Sequence, residues 1–221
     1  MHEVIINNLI QIQREIHLKI NKNGNQPLIP KIIAVSKTFP ISQVLPLIHF
    51  GHLDFGENKV QEANDKWINI KQNFNHINLH MIGGLQTNKV KLAINIFDYI
   101  HSLDSEKLAR KIADEQIKQN KKPKIFIQIN IGSEYQKSGI NKDNIFDFYE
   151  YCKKLNLNIV GTMCIPPKNG RAKDYFLEMN MLNKKLKLLE LSMGMSEDFL
   201  EAAEHNATYI RIGSKIFGQR A

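Results

Sequence analysis

Eight short apolar runs alternate with amphipathic segments along the sequence, and this alternation constrains the fold more than any other feature. The runs are rich in β-branched and aromatic residues and end in Gly, Asn, Ser or Pro, which is typical of strands followed by loops. They begin at Lys31, Leu53, Leu79, Tyr99, Ile125, Ile159, Leu189 and Tyr209. Because strands that alternate with helices build a parallel sheet, the sequence predicts an α/β protein.

Two architectures could hold such a sheet: an open doubly wound sheet, or a closed barrel with helices outside. A barrel of this kind typically has ~250 residues and can be as small as ~200, so a chain of 221 residues is long enough. The units follow one another without a linker or a low-complexity break, which favours the barrel. We therefore predict one (β/α)8 TIM-like barrel domain over residues 1–221, with an N-terminal amphipathic helix over about residues 2–20.

Composition excludes several classes of protein. Two cysteines cannot form a disulfide framework, and no apolar run reaches the length of a membrane span. The N-terminus also lacks the features of a signal peptide, so we expect a cytoplasmic protein without a membrane partner. The net charge of +8 comes from lysines scattered among acidic residues rather than from one basic stripe. We therefore expect no nucleic-acid partner, although a basic binder stays the weakest of the alternatives.

Lys37 is the first candidate for chemistry, because it ends the first apolar run. Ligands of parallel α/β proteins bind at the carboxyl ends of the strands. Lysine is rarely buried, and desolvation lowers its pKa so that a neutral amine can attack a carbonyl and form a Schiff base. The alternative interpretation is that Lys37 only begins a loop and points to solvent.

A phosphate site is the second candidate, at the ends of the last two strands. Ser192 and Gly194 lie just before a helix that Ser196 is expected to cap, and Gly213 and Ser214 follow the eighth strand. In barrels these two loops often form a phosphate site with a helix N-terminus, and glycines let the backbone approach the ligand. Ordinary turn and cap chemistry is the alternative explanation.

A Schiff-base lysine beside a phosphate site suits two ligand classes: a sugar phosphate in an enzyme of the class I aldolase type, or pyridoxal 5′-phosphate. Arg211 shares strand parity with Gly213, so both face the same side of the sheet. A buried arginine needs an acceptor, which could be a pyridine nitrogen or a carboxylate. Two other patterns give weaker predictions. Glu57 is expected to cap a helix rather than to act as a general acid or base, and His49, His52 and Asp54 are not expected to bind a metal.

Together these residues resemble the pyridoxal phosphate homeostasis protein family, single-domain relatives of the alanine racemase N-terminal barrel. The resemblance extends in order over nearly the whole sequence and rests on the runs Ala34–Thr38, Phe55–Glu62, His80–Lys89, Gly161–Ile165, Leu191–Ser196 and Arg211–Gly218. Lys59 and the loop over residues 130–139 depart from the pattern of the family.

The resemblance implies pyridoxal 5′-phosphate as the cofactor, bound to Lys37 as a Schiff base. It further implies that Arg211 faces the pyridine nitrogen. The positions that hold the phosphate are Ser192, Gly194, Gly213 and Ser214, and those near the ring are Asn58, His80 and Met163. No residue is assigned a catalytic role and no metal is expected.

The function that the resemblance implies is pyridoxal phosphate homeostasis, by buffering the vitamer or delivering it to apoenzymes, without robust catalysis. Arginine only donates hydrogen bonds, so Arg211 would leave the ring nitrogen unprotonated and make the cofactor a weak electron sink. We also expect no counterpart of the second racemase domain and hence a monomer. The alternative is a slow, racemase-like enzyme that uses pyridoxal phosphate.

Overall fold

A computed structural model describes residues 2–21, 28–168 and 171–219. All strand pairings in it are parallel. The strands are β1 (Lys31–Val35), β2 (Asp54–Glu57), β3 (Asn78–Met81), β4 (Tyr99–Leu103), β5 (Lys124–Asn130), β6 (Ile140–Asn141), β7 (Ile159–Cys164), β8 (Glu190–Ser192) and β9 (Tyr209–Ile212).

Eight of these strands close into a barrel. β1 lies between β2 and β9, and the pairing of β4 with β5 completes the ring. This closure confirms the predicted (β/α)8 barrel and excludes the open doubly wound sheet. The sequence did not predict the short strand β6, which pairs with β5 outside the ring. It contains only two residues, too few for a recognisable period-two pattern.

Helices surround the barrel: α1 (His2–Ile20), α2 (Ile41–His49), α3 (Val60–Asn73), α4 (Val90–Ile96), α5 (Glu106–Gln119), α6 (Ile145–Lys154), α7 (Ala172–Lys185), α8 (Phe199–Glu204) and α9 (Ser214–Phe217). Among the described residues, no helix is both long and apolar enough to cross a membrane.

The starts of α5 and α8 differ in how they are capped. Ser105 caps α5, because its side chain accepts a hydrogen bond from the Leu108 N–H. The prediction that Ser196 caps a helix is wrong, since α8 begins at Phe199. Asp198 instead closes the preceding turn by accepting from the Met195 N–H at 2.6 Å.

Strand parity divides the apolar core into two layers. Residues such as Ile32, Ala34 and Phe55 point outward and pack under the helices. A separate inner cluster contains Ile33, Tyr99, Phe126, Met163 and Tyr209. Because all barrel strands are parallel, their carboxyl ends meet at one face, and this face is where the candidate residues at strand ends come together.

Candidate functional site

Lys37 stands two residues beyond β1 in a tightly held turn. Alternation along the strand places it on the same side as Ile33 and Val35, and Ile33 belongs to the inner cluster. Its side chain is half-buried. The next residue, Thr38, has φ 69°, in the left-handed region that a β-branched residue rarely adopts. The strained backbone at Thr38 must therefore be held by the residues around it, and the turn keeps Lys37 at the barrel mouth.

Side chains behind the turn hold it from outside the barrel. The Thr38 N–H donates to the Glu62 Oε1 at 2.6 Å. The Lys66 ammonium donates to the Ser36 carbonyl at 2.9 Å and to the Glu57 carboxylate at 2.9 Å. Glu62 and Lys66 of α3 thus fix the backbone on either side of Lys37, Glu62 as an acceptor and Lys66 as a donor.

Glu57 is fully buried between β2 and α3 and does not cap a helix. Its Oε1 accepts from the Ser36 hydroxyl at 2.8 Å, the Lys66 ammonium at 2.9 Å and the Trp67 indole N–H at 2.9 Å. The prediction of a cap is therefore wrong, because strand parity turns this side chain toward α3. We call Ser36, Glu57, Lys66 and Trp67 the Glu57 cluster.

Arg211 lies inside the barrel, as its parity with Gly213 predicted, and is almost fully buried. Its guanidinium donates to the Ser192 Oγ at 2.6 Å and to the Cys164 carbonyl at 2.9 Å. A guanidinium has five N–H donors in a fixed plane, so these two bonds set its orientation and leave donors for a ligand. Burial lowers the pKa of Arg211 from its ordinary value.

From Ser192 a line of hydrogen bonds crosses the barrel interior. The Ser192 Oγ lies 2.9 Å from the His101 Nδ1, and the His101 Nε2 lies 3.0 Å from the His80 Nδ1. The His80 Nε2 in turn lies 3.0 Å from the Asp54 Oδ1. We call Asp54, His80, His101, Ser192 and Arg211 the interior network. It spans the barrel from β2 to β9 through side chains that are all buried.

The charges of the interior network lie at its two ends. Burial lowers the pKa of both His80 and His101, and for His101 the charges of His80 and Arg211 lower it further. Burial alone would raise the pKa of Asp54, but hydrogen bonds from His80 and Asn78 outweigh it and hold that pKa below its ordinary value. At neutral pH the network therefore has a carboxylate at one end, a guanidinium at the other, and neutral imidazoles between them.

The loops after β8 and β9 meet at the same face. The Ser214 hydroxyl donates to the Ser196 Oγ at 3.2 Å, and the Arg211 N–H donates to the Gly194 carbonyl at 3.0 Å. Gly194 has φ 89°, and a Cβ there would lie only 2.5 Å from the Ala202 Cβ. Gly213 lies against β1, where its Cβ would be 3.3 Å from the Val35 carbonyl oxygen. These loops therefore lie directly beside the turn that carries Lys37.

Asn58 and Met163 reach this face from other strands. Asn58 follows β2, and its Oδ1 is buried without a hydrogen-bond partner among the described residues. Met163 is buried in the inner cluster and pairs in register with Ser192. The structure thus brings these two predicted residues to the end of the barrel that holds Arg211.

Two predicted residues have neighbours that the sequence did not indicate. The Ser192 hydroxyl, expected at a phosphate, contacts Arg211 and His101. His80, expected beside a ring, is separated from Arg211 by His101 and Ser192 along the interior network. Sequence reasoning missed His101 and the role of Asp54. The parity of His101 with the inward Tyr99 was the available signal, since a histidine inside an apolar strand needs buried partners.

Comparison with known proteins shows the family of the chain. The family described as "Alanine racemase, N-terminal domain" matches residues 14–221. A pyridoxal phosphate homeostasis protein of Vibrio alginolyticus is 34% identical over 224 residues, which cover 96% of this chain and 96% of that protein. The chain belongs to the pyridoxal phosphate homeostasis protein family. A second member, from Aquifex aeolicus, is 35% identical over 222 residues, again with 96% of each chain covered.

Solved structures extend the family comparison to the fold. PipY of Synechococcus elongatus, solved with pyridoxal phosphate bound, superposes with a TM-score of 0.80 at 30% identity and covers 92% of this chain and 100% of its own. The alanine racemase of Clostridium difficile superposes with a TM-score of 0.69 at 15% identity, over 94% of this chain and 56% of its own. At that identity the racemase shows only a shared barrel.

Proposed function

We propose that this homeostasis protein binds pyridoxal 5′-phosphate through a Schiff base on Lys37 and buffers or delivers it in the cytoplasm. The observation that carries the proposal is the convergence of the Lys37 turn, the Arg211 guanidinium and the two glycine-containing loops at one face of the barrel. A monomer that releases the cofactor to apoenzymes suits this role, because exchange with another amine makes such a linkage reversible.

The residues at this face fit the cofactor. The Asn58 Oδ1, which has no hydrogen-bond partner in the described part of the chain, and the remaining Arg211 donors are polar groups that a ligand would satisfy. Gly194 and Gly213 leave backbone open where side chains would fill space, which suits a phosphate beside Ser214. Because its hydroxyl contacts Arg211 and His101, we assign Ser192 to orienting Arg211 and leave the phosphate to Gly194, Gly213 and Ser214.

Arg211 also supports a role without robust catalysis. When bound, pyridoxal phosphate acts as an electron sink most effectively if its ring nitrogen carries a proton, which a carboxylate partner usually favours. A guanidinium stays protonated and can only donate, so Arg211 holds that nitrogen as an acceptor. The names of the relatives point the same way, since they are called homeostasis proteins rather than enzymes.

The test compares wild-type protein with Lys37→Ala and with Lys107→Ala, in which an exposed lysine on α5 is removed as a matched control. Each protein is incubated with pyridoxal phosphate, its visible absorption recorded, and the adduct reduced with borohydride and mapped by peptide mass. We expect wild type and Lys107→Ala to be yellow and labelled at residue 37, and Lys37→Ala to lose at least ~90% of the signal, since the covalent link is removed.

A wild-type protein that stays colourless with excess cofactor would overturn the proposal and leave the aldolase-like alternative. Racemisation of an amino acid that scales with protein concentration and disappears in Lys37→Ala would instead establish the slow enzyme. Transfer to an apoenzyme is measured separately, as the rate at which the apoenzyme gains activity from the loaded protein.

A further inference from the structure

The two charged ends and the neutral imidazoles between them determine the direction of every hydrogen bond in the interior network. An ionised carboxylate can only accept, so His80 donates to Asp54 through Nε2–H. A neutral His80 then accepts at Nδ1 from the His101 Nε2–H, and a neutral His101 accepts at Nδ1 from the Ser192 hydroxyl. Ser192 in turn accepts from Arg211, which can only donate. Both imidazoles therefore carry their proton on Nε2.

Packing prevents the two imidazoles from rotating out of this arrangement. His80 stacks on Tyr99 with ring centroids 4.3 Å apart and an interplanar angle of 15°. His101 stacks on Phe126 at 4.2 Å and 17°. Both histidines have no exposed surface. The orientation of Ser192, and through it that of Arg211, is thus connected to rings that cannot reorient without disturbing the inner cluster.

Asp54 anchors the far end of the network at the amino-terminal face of the barrel. It borders a cleft of about 620 Å³ that Lys31 and His52 also line. The Asn78 side chain donates to the Asp54 Oδ1 at 3.1 Å, and the His52 Nε2 lies 2.9 Å from the Asp54 carbonyl oxygen. Outside the network, Asn78 therefore holds the carboxylate of Asp54 and His52 contacts its backbone.

We propose that His101 and His80, anchored by Asp54, are positioning residues that fix the Arg211 guanidinium through Ser192. The inference rests on the proposed function, because the guanidinium is held toward the pyridine nitrogen of the bound cofactor. A fixed guanidinium keeps a donor on that nitrogen and excludes a water molecule that could protonate it. When the network is cut at His101, the Ser192 hydroxyl loses its acceptor and Arg211 can turn away.

The first arm of the experiment needs no cofactor. Long-range ¹H–¹⁵N spectra of the imidazole rings of the wild-type protein at pH 7 report the charge and the protonated nitrogen of each histidine. We expect His80 and His101 to be neutral with the proton on Nε2. A charged ring, or a proton on the Nδ1 of His101, would contradict the hydrogen-bond direction and overturn the proposal.

The second arm measures the cofactor on His101→Phe, His101→Gln and the control His76→Gln, in which an exposed histidine is changed. Phenylalanine retains the ring stacking on Phe126 but cuts the network, whereas glutamine offers one acceptor and one donor in its place. We expect the Kd for pyridoxal phosphate to rise about tenfold in His101→Phe and to stay within about threefold of wild type in His101→Gln. His76→Gln is expected to match wild type.

Pyridoxal phosphate labelled with ¹⁵N in the ring reports the protonation of the ring nitrogen, which a loss of protein stability alone would not change. The ring nitrogen is expected to be unprotonated on wild type and partly protonated on His101→Phe at the same pH. If His101→Phe does not fold, Ser192→Ala cuts the same link with a smaller change in volume. A wild-type protein that binds no cofactor would overturn the proposed function. If wild type binds normally, and the Kd and the ring signal are unchanged in His101→Phe or Ser192→Ala, only the positioning role is overturned.

Discussion

The interior network lies inside the barrel and the Glu57 cluster lies outside it, between β2 and α3, and their hydrogen bonds are arranged differently. The interior network is linear, and its charged groups stand at the two ends. The Glu57 cluster converges, because three donors share one carboxylate oxygen while the other oxygen has no partner among the described residues. In a linear network each group sets the orientation of the next, whereas in a convergent cluster several hydrogen bonds depend on one residue.

The largest effect is expected from removing the shared acceptor in Glu57→Ala. In this variant the Trp67 N–H, the Ser36 hydroxyl and the largely buried Lys66 ammonium lose the carboxylate that accepts their hydrogen bonds. The loss should lower the free energy of unfolding by about 3 kcal/mol. Lys66 retains the Ser36 carbonyl, which limits the loss. Urea unfolding at pH 7 measures the change.

Glu57→Gln is the matched control, since it keeps an acceptor oxygen but removes the charge. Its expected cost is about 1–2 kcal/mol. A Glu57→Ala protein as stable as the glutamine variant would show that the shared oxygen is not the source of stability, and the comparison between the two clusters would fail.

The interior network predicts a pH dependence of intermediate size. His80 and His101 have pKa values below the ordinary value when folded, so the unfolded chain binds more protons once the pH falls through ~6.5. Well above that pH both rings are neutral in the folded and the unfolded chain, and the full stability is present. Below it, protonation favours the unfolded chain, and by pH 5.5 each histidine should reduce the free energy of unfolding by about 1 kcal/mol.

Denaturation of wild type and His101→Gln at pH 7.5 and pH 5.5 measures this dependence. The variant lacks one of the two imidazoles of the interior network, so its loss of stability between the two pH values should be smaller by about 1 kcal/mol. An equal loss in both proteins would mean that His101 takes up a proton in the folded state as readily as in the unfolded chain.

The smallest expected effect concerns the strained turn that the Glu57 cluster borders. Thr38→Gly relieves the left-handed backbone and should raise the free energy of unfolding by about 0.5 kcal/mol, after the greater freedom of glycine in the unfolded chain is included. The same freedom should weaken binding of pyridoxal phosphate about twofold, because Lys37 is less well held.

Lys187→Gly is the control for this change, since Lys187 is exposed and also left-handed, with φ 56°, but follows α7 away from the site. It should stabilise the protein similarly without altering the Kd. Weakened binding in both variants would show that the effect does not come from the Lys37 turn. Unfolding curves and cofactor titrations provide both quantities.

The positions of the strands and of the residues at their ends could be predicted from local pattern. Lys37, Gly213 and Ser214 follow apolar runs directly, and the parity of Arg211 with Gly213 placed it inside the barrel. Glu57 shows the limit of this reasoning. A carboxylate just before a helix is usually interpreted as a cap, whereas the orientation of this side chain depends on Ser36 and Trp67, which approach only after β1 and α3 pack.

By itself, the sequence determined the alternation of eight strands with helices and the residues at the barrel mouth, because both depend on near neighbours along the chain. Only the tertiary structure decided what connects Arg211 to Asp54. His80 and Asp54 are 26 residues apart, and His101 and Ser192 are 91 apart. Such pairs meet when the barrel closes, and once water is excluded each buried donor needs the one acceptor that closure brings within reach.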